Sequence, residues 1–221
     1  MQKSMTVETN IAPSSPEELL GDPHPLLEQL GAPEDVAAAG AVARAIAFRR
    51  VTDLPSLRRF LDSYRAEILV PFEMPMIVRA YQHAASGEAN ELIALDERLG
   101  GERALRPFAL ASCRVGQRQL SKLRPLRGQR LVQRYLAAIE EGRARGWHTL
   151  VYGVSLAMFS LPLRQGLQNY ADQTVRGFVE SAARSLRLPE SDCDSLLAAQ
   201  FAESPAAIAA ILNTASPLLI T

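Results

Sequence analysis

The sequence predicts an all-α fold, a single-domain helical bundle of about ten helices. Three observations carry this reading. Ala and Leu are abundant while aromatic residues make up only 6% of the 221 residues, a balance that favours helices over sheets. Every strong apolar periodicity lies near 3.6 residues. Val, Ile and Thr never gather into alternating runs between turn signals, so no strand is expected. With 48% apolar residues the chain can build a sizeable core, and its length suits one domain.

The elements follow in order. Residues 1–16 are rich in Ser, Thr and Pro and are expected to form a tail, leaving 17–221 as the domain. An alanine-rich segment from Glu34 to Arg50 reads as a helix. In "TDLPSLRRFLDSYRAEIL", Leu57, Phe60, Leu61, Tyr64 and Ile68 make one apolar face, and Asp53 ahead of Pro55 is a start signal. Helices are predicted at 74–86, 88–99 and 102–122, with a break at Pro125. Another is expected from 126 to 144, closing at Gly146.

The stretch "GWHTLVYGVSLAMFSLPL" holds an apolar run of 15 residues, Thr149 to Leu163, shorter than the ~20 needed to cross a bilayer. Leu150, Val154, Ala157, Met158 and Leu161 line one helical face, with Tyr152 and Phe159 opposite. A helix apolar nearly all round belongs in the middle of a bundle. Gly153 and Ala157, four residues apart, would let a neighbouring helix come close. Leu163 to Leu186 follows with a long stripe through Leu167, Tyr170, Val175 and Phe178. Its other face carries Asp172, Arg176, Glu180 and Arg184 at four-residue spacing, a ladder worth ~0.2–0.5 kcal/mol per pair. Pro189 and Pro205 are expected to punctuate two short final helices.

Charge and motifs exclude several classes of function. Twenty-four Lys and Arg balance twenty-four Asp and Glu, whereas nucleic-acid binders carry a basic excess. The N-terminus lacks the apolar core of a secretory signal, and Cys113 and Cys193 alone make no disulfide framework. A cytoplasmic protein without membrane contact is expected. There is no G-x-x-x-x-G-K-[ST] and no G-x-S-x-G. His24, His83 and His148 are not spaced to converge on a metal. The expectation is a protein that is not an enzyme and holds no cofactor stably. Cys113 and His148 could meet as nucleophile and base only through the fold.

One charge feature stands apart. Nine basic residues and no acidic one lie between Arg103 and Arg134. Arg114, Arg118 and Lys122 share a helix face, as do Arg127, Arg130 and Arg134. These are either solvated faces or a docking patch for an acidic protein surface.

The order of segments adds a further indication. "SLRRFLDSYRAEILVPFEMPMIVRAYQHA", "LASCRVGQRQL" and "WHTLVYGVSLAMFSLPLRQGLQNYADQTVRGFVESAARSLRL" together resemble the UreF family of urease accessory proteins. The matched positions are Ser112, Gly116 and Leu120; then His148, Tyr152 and Gly153; then Ala182, Ala183 and Arg184. The resemblance covers Leu54 to Leu197 and thins out toward Pro217. It implies a helical, cytoplasmic, usually dimeric chaperone that bridges a UreD (UreH) protein and the GTPase UreG during nickel delivery to apo-urease. Nickel would pass in transit rather than stay bound. Three departures accompany it. After Arg184 the family's usual Leu-Gly-Gln turn is replaced by "LPESDCDS". The family's Ser-Pro-x-Leu-Pro-x-Gly segment is replaced by "HPLLEQLGAPEDVAAAG". The sequence also ends soon after Pro217, before a basic and aromatic tail, so weak UreD binding is expected. A helical adaptor of the same fold outside urease maturation stays open as the alternative.

Overall fold

The computed structural model describes residues 51–215. The predicted tail and the Glu34–Arg50 helix lie outside the described residues. Within them every regular element is helical and no strand occurs.

Helix α1 (Leu54–Tyr64) starts where the sequence signals it. The Asp53 carboxylate accepts from the Ser56 N–H at 2.8 Å, and Ser56 Oγ accepts from the Asp53 N–H at 3.0 Å. This reciprocal cap satisfies two donors that a helix start leaves open. The chain then runs without interruption through a π-helical segment, Arg65–Glu73, into α2 (Met74–Ala85). Pro71 explains the change of winding. It has no N–H, and its ring would collide with the carbonyl four residues back in an ordinary α-helix. The wider π turn accommodates it, with the Met74 N–H bonded to the Leu69 carbonyl five residues earlier.

Next come α3 (Ala89–Gly101), a 3₁₀ turn at Arg103–Phe108, and α4 (Ala109–Lys122). They are followed by α5 (Arg130–Glu140), α6 (His148–Met158), α7 (Leu163–Leu186) and α8 (Glu190–Ala215). Counted as continuous rods, the described residues contain seven helices and not about ten. Two of the predicted helices fuse through the π segment. Two others fuse into α8, because Pro205 lies on its exposed side, where the freed carbonyl can face water. The predicted 102–122 helix is broken by extended backbone at Glu102 and tightens to 3₁₀ before α4. The predicted 126–144 helix is trimmed at both ends. Residues 123–129 form turns, fastened by Gln133 Nε2 to the carbonyls of Arg124 and Leu126. Gly142 leaves the helix at a left-handed φ of 74°.

Helix α6 is the centre of the bundle, as its all-round apolar sequence predicts. Its residues from His148 to Leu156 are all buried. Three neighbours reach it through missing side chains. A Cβ on Gly153 would meet the Ile77 carbonyl oxygen of α2 at 2.5 Å and Ala80 Cβ at 2.9 Å. A Cβ on Gly166 of α7 would meet Leu156 Cδ1 at 2.4 Å. A Cβ on Gly116 of α4 would meet the Gly146 carbonyl oxygen at 2.1 Å. At Gly153 and Gly116 backbone therefore meets backbone more closely than an alanine permits, and at Gly166 the Leu156 side chain fills the space a Cβ would need.

Helix α8 is long and apolar enough, by length and composition, to cross a bilayer. Here it buries Leu196, Leu197, Ile208 and Ile211 in the common core instead. Its Gln200 and Glu203 hold Arg65 of the π segment at 3.0 and 2.6 Å.

The predicted charge ladder on α7 does not form. Asp172 accepts from Gln168 at 2.8 Å, and Arg176 lies 5.5 Å from the centre of the Phe201 ring on α8. Among the described residues no direct ion pair joins Asp172, Arg176, Glu180 and Arg184. The Phe201 face offers Arg176 a cation–π contact that solvent weakens less than an exposed ion pair.

A helix lock beneath an arginine face

The site grows from the turn between α5 and α6, Arg145–Gly146–Trp147. A turn that enters a buried helix presents several backbone N–H groups to an apolar interior, and each needs an acceptor. Trp147, at the helix N-cap, supplies no side-chain bond. Asp96 of α3 supplies it from a distance. Its fully buried carboxylate accepts from the N–H groups of Arg145 at 2.6 Å, Gly146 at 2.9 Å and Trp147 at 3.4 Å. The Tyr135 hydroxyl on α5 adds a fourth bond at 2.5 Å. A carboxylate so placed also opposes the positive end of α6. Burial, and then the Asp96 charge, push the Tyr135 phenol well above its ordinary range.

Helix α4 closes the other side of the turn. Ser112 Oγ accepts from the His148 N–H at 3.2 Å. One turn later Gly116 lies against the backbone of Gly146, Trp147 and His148. Gln117 Nε2 then donates to the Arg145 carbonyl at 2.7 Å. The Ser-x-x-x-Gly spacing thus has a physical reason. Four residues return to the same face of α4, the first to offer an acceptor and the second to offer no side chain at all.

Beyond this lock the buried His148 ring lies 6.2 Å from the Tyr152 ring and 5.7 Å from Tyr170 of α7. The Tyr152 hydroxyl donates to the Gly166 carbonyl at 3.1 Å. Desolvation raises the Tyr152 phenol, and desolvation followed by the Glu73 charge raises Tyr170. On the outer edge of the lock, burial and the Asp96 charge push the Cys113 thiol up to about 12. A thiol held protonated is a poor nucleophile. Among the described residues no group of three or more His, Cys, Asp or Glu converges as a metal site.

The structure therefore brings Ser112, Gly116 and His148 into one contact and places Tyr152 and Gly153 on other sides of the same central helix. Arg184 is exposed near the end of α7 and takes no part. Arg114 and Arg118 point outward from the helix that carries the lock, and Arg127 and Arg130 are exposed beyond its C-terminal end. Arg124 and Arg134 are tied down, by Glu140 at 2.8 Å and Asn90 at 3.0 Å. Arg114, Arg127 and Arg130 form no ion pair among the described residues. Asp96 is not among the candidate site residues that the sequence offers, although a signal exists. It sits between Leu92, Leu95 and Leu99 on an apolar helix face, where an acid has no place unless something inside binds it.

The comparisons with known proteins agree with this arrangement. The UreF family model matches residues 51–200, which takes in the lock, the central helix and most of the bundle around them. A search of curated proteins gave no match. A match over more than half the sequence, including every residue of the lock, settles the family: the chain belongs to UreF, a family of urease accessory proteins.

Proposed function

We propose that this protein serves urease maturation as a non-enzymatic cytoplasmic chaperone. In this reading it bridges a UreD/UreH-type protein and the GTPase UreG, works as a homodimer, and helps nickel reach the apo-urease complex. The metal is cargo handed between partners. The observation that carries the reading is the continuous UreF match over residues 51–200. The structure adds a division of labour to it. Ser112, Gly116 and His148 are spent on fixing α4 against the turn into α6, and Arg114, Arg127 and Arg130 stand exposed where a partner can meet them. An acidic surface on the GTPase would be steered to them by charge.

The test is reconstitution. Apo-urease, the UreD-type protein, the GTPase, nickel and GTP are combined with and without this chain, and urease activity is read. A gain that needs the chain supports the reading, and identical activity in both mixtures would refute it. One observation favours a second reading, a helical adaptor outside urease maturation. The segment "HPLLEQLGAPEDVAAAG" stands where the family carries Ser-Pro-x-Leu-Pro-x-Gly. Capture of the GTPase without any effect on urease would select that reading.

A further inference from the structure

Leu110 is the one large apolar side chain left exposed among the described residues, at 75%. Single exposed leucines are common and carry no message alone. This one sits in a charged frame. Arg106, Leu110, Arg114 and Arg118 follow one another at four-residue spacing, all of them exposed, from the 3₁₀ turn along α4. Leu110, Arg114 and Arg118 fall on a single helical stripe. The wider segment from Arg103 to Arg134 holds nine basic residues and no acid. A surface of this kind suits an acidic segment that also carries leucines: the charges steer it, and the apolar contact holds it.

The same chain contains such a segment. Residues 8–35 carry seven Asp and Glu and neither Lys nor Arg, with Leu19, Leu20, Leu26, Leu27 and Leu30 among them. The protein's zero net charge therefore hides two opposite blocks. Reach permits them to meet. As the helix the sequence predicts there, the 15 residues from 36 to 50 span about 22 Å, about the radius of a domain of this length, enough to carry residues 8–35 around one side of it. Tethering also raises the local concentration to about millimolar, so a weak intrinsic affinity suffices.

We propose that residues 8–35 dock on the Arg106–Leu110–Arg114–Arg118 stripe of their own molecule. The face then carries an internal occupant, and any outside acidic partner must displace it. The docking does not depend on the urease reading and is tested with the purified full-length chain alone.

The probe is a synthetic peptide of residues 8–35, titrated at about 50 mM salt, where surface charge is weakly screened. It is added to the wild-type chain and to a chain carrying Glu17→Gln, Glu18→Gln, Asp22→Asn and Glu28→Gln. The neutralised chain is expected to bind the peptide about tenfold more tightly, because its own segment no longer competes. Adding Arg114→Glu and Arg118→Glu should abolish binding to both. Equal affinity of the wild-type and neutralised chains would overturn the proposal. A second measurement replaces Leu110 with the photocrosslinker p-benzoylphenylalanine. Crosslinks to residues 8–35 within one molecule support it. Crosslinks to a second copy, or to no part of 8–35, overturn it, as does binding that survives the arginine reversals.

Discussion

Gly116 and His148 are in backbone contact: a Cβ on Gly116 would lie 2.7 Å from the His148 nitrogen and 2.1 Å from the Gly146 carbonyl oxygen. Neither obstacle is a flexible side chain, so the backbone itself would have to move. Gly116→Ala is therefore expected to cost ~3 kcal/mol or more, at or above the upper end of overpacking penalties. Gly153→Ala, facing the Ile77 carbonyl and Ala80, should cost ~1–3 kcal/mol. Urea unfolding of both variants measures this, and an unchanged midpoint for Gly116→Ala would show that α4 and the turn can separate freely.

Asp96→Asn tests the cap on α6. The amide keeps the shape but turns one acceptor into a donor that faces other donors, and it removes the charge that strengthens all four bonds. A loss of about 3 kcal/mol is expected. Tyr135→Phe, which deletes only the bond at 2.5 Å, should cost about 1–2 kcal/mol. Equal losses for the two variants would mean that the carboxylate charge contributes nothing.

Arg187 ends α7 with a left-handed φ of 55°, a conformation that an L side chain adopts at a cost of ~1 kcal/mol and glycine adopts freely. Arg187→Gly is expected to stabilise the protein by ~0.5–1 kcal/mol. Differential scanning calorimetry should show the higher melting temperature, and a fall would reveal an unrecognised role for the arginine.

Alkaline pH should unfold the protein early. The Cys113 thiol moves from 9.0 to about 12 on folding. Tyr64, Tyr135, Tyr152 and Tyr170 are likewise raised, in each case first by burial. A raised pKa means that the folded state holds the proton more firmly than the unfolded chain does. Stability from these groups is thus complete below about pH 9 and lost as pH climbs toward 12. Phenolate absorbance and helical ellipticity followed together should change in one step. Ionisation of these tyrosines without loss of helix would contradict the burial described above.

The arginine face predicts partner behaviour. Reversing Arg114 and Arg130 to Glu should slow association with the GTPase steeply at low salt and little at high salt, while leaving the unfolding free energy within ~0.5 kcal/mol of wild type. Surface plasmon resonance at two ionic strengths reads this directly. Unaltered association rates would reduce these arginines to solvated surface.

Much of this was legible in the sequence, and the exceptions have physical causes. The central position of α6 follows from its apolar circumference, and Asp53 announces the start of α1. The apolar stripe predicts α7 over Leu163 to Leu186, which is the observed span. The failures concern proline and long-range partners. Pro205 reads as a break because the local rule says so, and the helices on either side of Pro71 read as separate. A π turn at one and an exposed carbonyl side at the other absorb the disruption, and neither shows in a residue pattern. The α7 charge ladder follows from spacing within one helix, whereas Phe201 on another helix takes Arg176. Asp96 was visible as an acid among leucines, but its four donors come from residues 39 to 51 positions further on. No periodicity connects them.

The π segment also sets a phase. Its wider winding changes the angle at which α1 leaves α2, and one residue of an α-helix corresponds to a rotation of about 100°. Deleting Pro71 would let the rod return to ordinary winding with every local bond satisfied. The fault would appear elsewhere, as Leu57, Leu61 and Tyr64 swung away from the core while polar residues swung in. In this stretch the number of residues carries structural information separate from their identity. Among relatives of this protein, amino-acid exchange within 65–73 should therefore be tolerated more readily than any change of length.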